Sequence, residues 1–158
     1  MISQGPLEDR LAIRELIESY NDAVMRFDGD AWRSNWLEDA IWSLPGAGEI
    51  QGLDNFFPIW EQTMAGFSFV GFFASAGPIT IDGDSATGTW YQQTRNQQVA
   101  TLCFLKRTTW RRTGGYFHFS MAAYIKKCQK MHEILLVFPN FFLAKVIKTT
   151  NNHGSKGV

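Results

Sequence analysis

The sequence predicts an α+β domain in which three N-terminal helices pack on one face of a following antiparallel sheet. Three observations carry this. Apolar residues recur at spacings of three and four over residues 7–27, two further helical patterns end at Gly66, and alternating runs broken by turn residues follow to Ile125. The 158 residues, 45% apolar and 15% aromatic, fit one domain with one core. A chain of this size buries about 70% of the surface it exposes when unfolded, so it needs neither a disulfide nor a structural metal.

The first helix is predicted over residues 6–27. Leu7, Leu11, Ile13, Leu16, Ile17, Tyr20, Val24 and Phe27 form its apolar stripe, and Asp9, Arg10, Arg14, Glu15, Glu18 and Asp22 its polar face. Pro6 suits the first turn, where its missing N–H has no intrahelical role. Asp28-Gly29-Asp30 breaks the period and offers a capping oxygen, after which Ala31, Trp32, Asn35, Trp36 and Leu37 read as a short second helix. Residues 40–44 alternate as a strand that stops at Pro45-Gly46. A third helix is predicted over residues 53–65, with Pro58 calling for a kink or a later start. Residues 67–81 and 85–93 read as strands joined by the hairpin signal Asp82-Gly83-Asp84. The sheet continues over residues 100–112, turns at Thr113-Gly114-Gly115 and returns over residues 116–125. These elements define a single domain over residues 1–148, followed by a polar tail, residues 149–158, expected to fray.

The formal net charge is zero, but it is unevenly spread. Through Asp84 there are 14 acidic residues against four arginines, whereas from Ser85 onward only Glu133 opposes 11 Lys and Arg. Arg107, Arg111, Arg112, Lys126, Lys127 and Lys130 interleave with Trp110, Tyr116, Phe117, Phe119 and Tyr124, a composition able to hold single-stranded nucleic acid, though nothing else favours such a partner. Cys103 and Cys128 form no longer series and read as incidental thiols, and no charged-then-apolar leader opens the chain; both features predict a cytoplasmic protein. No apolar run reaches the ~18 residues of a membrane span. A glycine-rich phosphate loop, a nucleophile elbow, a CxxC pair and metal-ligand spacing are all missing, so no cofactor and no metal are predicted.

Leu7-Glu8-Asp9-Arg10-Leu11-Ala12-Ile13-Arg14-Glu15-Leu16-Ile17, Tyr20, Asp28-Gly29-Asp30-Ala31-Trp32, Trp36-Leu37-Glu38-Asp39-Ala40 and Ile81-Asp82-Gly83-Asp84-Ser85-Ala86-Thr87 together resemble the SnoaL-like domain of the NTF2-like superfamily. The resemblance covers residues 7–93 and weakens from about residue 102. It implies a cystatin-like cone, in which a strongly curved sheet wraps the first helix and leaves an apolar cavity. Members include dehydratases, a dehydrochlorinase and polyketide cyclases, beside others that only bind or assemble, so fold alone does not choose the function.

Eliminations in this family resemble proton abstraction by a polar group or His–Asp pair in a dry cavity, with a tyrosine polarising the departing oxygen. Tyr20, on the inward stripe, matches such a tyrosine; its alternative is a core residue with a satisfied hydroxyl. Counting without gaps, the acidic partner falls at Met25, and a local shift anchored on Tyr20 brings Asp28 there instead; otherwise Asp28 or Asp30 caps a helix. Asp22, about 200° around the helix from Tyr20, is expected to face solvent. The strand that carries the family histidine reads Phe72-Phe73-Ala74-Ser75-Ala76, and His118, His132 and His153 all lie beyond it. Trp36, Trp42, Phe67, Phe72 and Phe73 are the expected walls, aromatic surfaces suited to a ring-shaped ligand.

Residues 106–114 can also be written with codons that, read one base over, spell a family-like acidic strand and turn. This predicts a change of reading frame between Gln93 and Lys106 and irregular packing of the last strands. The functional expectation is the binding of a small, largely apolar cyclic molecule by a homo-oligomer, dimer or trimer, as a cofactor-independent lyase or isomerase. The alternative is a non-catalytic binding or assembly module.

Overall fold

The computed structural model describes residues 2–44, 48–97 and 102–127. Helix α1 spans Leu7–Arg26. Pro6 precedes it with φ −55°, a value its ring presets, and its carbonyl accepts the Arg10 N–H at 3.2 Å. Glu8 and Asp9 in the first turn and Arg26 in the last complement the helix dipole. Ile13, Ile17, Tyr20, Ala23 and Val24 form the buried stripe, while Asp22 lies on the far side and pairs with Arg26 at 2.8 Å.

The chain leaves α1 through Phe27, in the left-handed region at φ 58°, and Asp28 then caps α2, Gly29–Ser34. The expected short helix therefore starts earlier and ends earlier: Trp36 and Leu37 belong to strand β1, Trp36–Leu44. Asn35 makes the break. Its side-chain amide donates to the Ala31 carbonyl at 2.7 Å, and its own carbonyl accepts the Phe119 N–H at 2.9 Å, handing the next residue to the sheet. A short strand that the sequence reading did not anticipate, β2 over Gly48–Gln51, pairs antiparallel with β1.

Helix α3, Leu53–Ala65, runs through Pro58 without a later start. Phe56, Trp60 and Met64 hold it down, with Phe56 meeting Trp32, Trp36 and Trp42 at ring separations of 5.1–6.0 Å. Strands β3 (Val70–Asp82), β4 (Ser85–Asn96), β5 (Leu102–Thr113) and β6 (Tyr116–Lys127) follow. The β3–β4 turn uses Gly83 at φ 55° and the β5–β6 turn uses Gly114 and Gly115 at φ 59° and 86°, positive values that glycine adopts without steric cost.

The helices pack on one curved six-stranded sheet of order β2-β1-β6-β5-β4-β3. Four of its five seams are antiparallel, as expected, but β1 and β6 run parallel, Trp42 standing opposite Ala122. The long excursion from β1 through α3 and four further strands lets β6 return in the same direction as β1.

The expected irregularity of the last strands is met in part: β5 and β6 slip register between Leu105 and Lys106 and again between Thr109 and Trp110. β4 and β5 pair without a slip from Ser85↔Arg111 to Thr94↔Leu102, and burial alternates along β5 at Lys106, Thr108 and Trp110. Gly88 fits this seam, because a Cβ there would lie 2.8 Å from the Pro78 carbonyl and 3.1 Å from the Trp110 ring. The expectations for Pro45-Gly46, Cys128, Lys130, His132, His153 and everything from residue 128 to the tail lie outside the described residues.

Candidate functional site

α1 delivers Tyr20 to the centre of the inner sheet face. Its ring meets Trp90 edge-on at 5.0 Å, Phe72 at 5.4 Å, Phe119 at 5.6 Å, Trp32 at 5.8 Å and Trp36 at 6.2 Å. Burial among these rings pushes the phenol well above its ordinary range, with the Trp32 indole acting weakly in the opposite sense. A hydroxyl so placed stays protonated at any physiological pH. It can donate a hydrogen bond to an oxygen but cannot serve as a base.

Asp28 does not join it. One carboxylate oxygen accepts the Ala31 N–H at 2.9 Å and the other lies 3.2 Å from the Arg26 guanidinium, so both are committed at the α1–α2 corner. The capping alternative is what the structure shows for this residue. Among the walls, Trp36, Trp42 and Phe72 are buried in the core, and Trp36 bridges Tyr20, Trp32, Phe56 and Phe119. Phe67 is half-buried where the chain leaves α3, its N–H bonded to the Met64 carbonyl at 3.0 Å. Phe73 is a correction. It is 63% exposed, because adjacent strand positions face opposite ways and Phe72 takes the inner one.

Sequence reasoning passed over Lys106. It lies on β5 opposite Trp90, is only 7% exposed, and holds its ammonium 5.8 Å from the Trp90 ring centroid. Burial pulls its pKa down to about 8. Among the described residues it is the one buried side chain that carries a full charge, and no described carboxylate pairs with it. The signal was in the sequence. Trp110 sets the inward parity of β5, and Thr108 and Lys106 share it.

The same interior holds unmatched polar atoms. The indole N–H groups of Trp36, Trp42, Trp90 and Trp110 are buried without an acceptor, and Thr108 Oγ1 and Gln92 Oε1 are buried without a partner. Each such group costs about 1–3 kcal/mol relative to a satisfied one. The excess consists mainly of donors, which an oxygen-bearing guest would satisfy. Among the described residues no cluster of three His, Cys, Asp or Glu side chains stands ready for a metal, and no helix is long and apolar enough to cross a membrane.

Two of the four basic residues of β5 are matched by carboxylates within the chain. Arg111 pairs with Asp39 at 2.5 Å, holding that carboxyl below its usual range, and Arg112 reaches Asp9, with Asp84 at 3.8 Å. Trp110, Phe117 and Phe119, which a nucleic-acid surface would need for stacking, are buried.

Three helices on one curved, mainly antiparallel sheet with an aromatic interior define an α+β domain of the cystatin-like kind. Residues 5–132 match the SnoaL-like domain, and the chain belongs to that family. The match takes in β5 and β6 as well as the segment on which the resemblance was read. No curated protein matches. Solved structures of the same fold include the Kfla4162 protein from Kribbella flavida (17% identity, 82% of this chain and 97% of that one, TM-score 0.70). A protein of Streptomyces avermitilis, proposed to be a dehydratase of the NTF2-like family, aligns at 15% identity over 75% and 97% with TM-score 0.67. A hexachlorocyclohexane dehydrochlorinase, LinA type 2, aligns at 15% identity over 80% and 93% with TM-score 0.63.

Proposed function

We propose that this chain binds a small, largely apolar cyclic molecule against the Tyr20–Phe72–Trp90–Phe119 wall and acts on it as a cofactor-independent lyase or isomerase. The observation that carries the reading is Tyr20, a hydroxyl kept neutral inside a box of five aromatic rings. A donor in so dry a setting strengthens its bond to an oxygen that gains charge during elimination or enolisation. The dehydratase and dehydrochlorinase names among the structural relatives support the reaction class.

Tyr20→Phe tests it. The variant is expected to fold, to keep its affinity for cyclic ligands found by thermal shift, and to lose about 10²-fold or more in turnover. Unchanged turnover sinks the role. A second reading, a non-catalytic binding module, draws on the commitment of both Asp28 oxygens to the α2 cap and Arg26, which leaves that carboxylate no part as a base. Ligand binding without turnover in any elimination or isomerisation assay supports it. The proposal also takes the molecule to be a cytoplasmic homodimer or trimer, which sedimentation of the full chain and fractionation of its host check.

A further inference from the structure

We propose that Lys106 anchors a carboxylate on the cyclic ligand, so that the natural guest is an aromatic or alicyclic acid rather than a neutral ring. This rests on the ligand-binding reading above and specifies its ligand.

Lys106 stands on the inner face of β5, in register with Trp90 on β4, and its ammonium lies over the Trp90 ring at 5.8 Å. Trp90 is also the nearest ring to Tyr20, at 5.0 Å, so the amine borders the same aromatic wall as the phenol. Two residues along the same face, Thr108 is fully buried with its hydroxyl unpartnered, and the Trp90 indole N–H is unpartnered too. The cation and two idle donors thus share one patch of two neighbouring strands. β6 carries one extra residue at this level, since Leu105 pairs with Lys126 but Lys106 with Tyr124.

A lysine is almost never buried without a counter-charge. Elsewhere on β5 the protein supplies carboxylates, to Arg111 from Asp39 and to Arg112 from Asp9 and Asp84, but none of the described acids reaches Lys106. A ligand carboxylate would supply the counter-charge, and its oxygens would also take the Thr108 and Trp90 donors while its ring lies on the aromatic wall. Burial already lowers the amine to about 8, leaving most of it cationic at neutral pH, as an anion anchor requires.

Isothermal titration of the full chain at pH 7 with 2-naphthoate and its uncharged counterpart 2-naphthamide tests this. The wild type is expected to bind the naphthoate about tenfold or more tightly than the amide. Lys106→Met should bring the two within about twofold while still binding the amide, and Lys106→Arg should keep most of the preference. Equal affinities in the wild type, or a preference that survives Lys106→Met, overturn the assignment. Binding of the amide alone removes the carboxylate and leaves the ring-binding reading standing, whereas binding of neither probe removes both.

Discussion

Single residues here show conflicts between burial and polar chemistry. Lys106 has its folded pKa at about 8, below the 10.5 of a free lysine, so between these values the unfolded chain binds more protons than the folded one. Its penalty is fully present below pH 8 and is relieved as pH rises toward 10.5, and its full size is about 3 kcal/mol. Lys106→Met is accordingly expected to raise stability by about 2–3 kcal/mol at pH 7, with the gain shrinking toward zero above pH 10.5, as read by urea unfolding across pH. A gain that does not change with pH refutes the cause. Asp28→Ala removes the α2 cap and should cost about 1 kcal/mol in the same assay while leaving the naphthamide affinity unchanged. The interior positions of the candidate residues were half legible at this scale. Tyr20 and Phe72 declared themselves by period, but whether Asp28 is a base or a cap depends on which backbone N–H comes within reach, and spacing alone cannot supply that.

Among the elements, the helices and hairpins were readable because period, caps and turn glycines agree with one another. α3 appears at the expected residues, and the β3–β4 hairpin turns where Asp82-Gly83-Asp84 says it must. What escaped was decided by partners distant in sequence. β6 claims Trp36 for the sheet, and β2 is too short to signal itself. Two contacts lock the elements together and can be tested. Asn21 on α1 accepts the Ala74 N–H at 2.9 Å and donates to the Ala74 carbonyl at 3.0 Å, pinning the helix to β3; Asn21→Leu strands both groups and should cost about 2–3 kcal/mol of unfolding free energy. Gly88→Ala forces a methyl against the Pro78 carbonyl and the Trp110 ring, with an expected loss of about 1–3 kcal/mol by thermal or urea denaturation.

For the molecule as a whole, part of the uneven charge of the sequence is answered inside the fold: Asp9, Asp39 and Asp84 of the acidic half face Arg111 and Arg112 of β5. Asp9–Arg112 joins residues 103 apart in sequence and is partly shielded, whereas Asp22–Arg26 is local and open to water. A double-mutant cycle on the first pair is expected to return a coupling of about 1 kcal/mol, and on the second no more than about 0.5 kcal/mol, both shrinking in salt.

The parallel seam carries a consequence for how the polypeptide is made. Trp42 waits for Ala122, a partner 80 residues downstream. At ribosomal speeds of about 5–20 residues per second, the edge of β1 and its tryptophans stay uncovered for roughly 4–16 seconds after they emerge. Nascent chains stalled before β6 should therefore be avid clients of holdase chaperones, and release from that custody should coincide with the emergence of the final described strand.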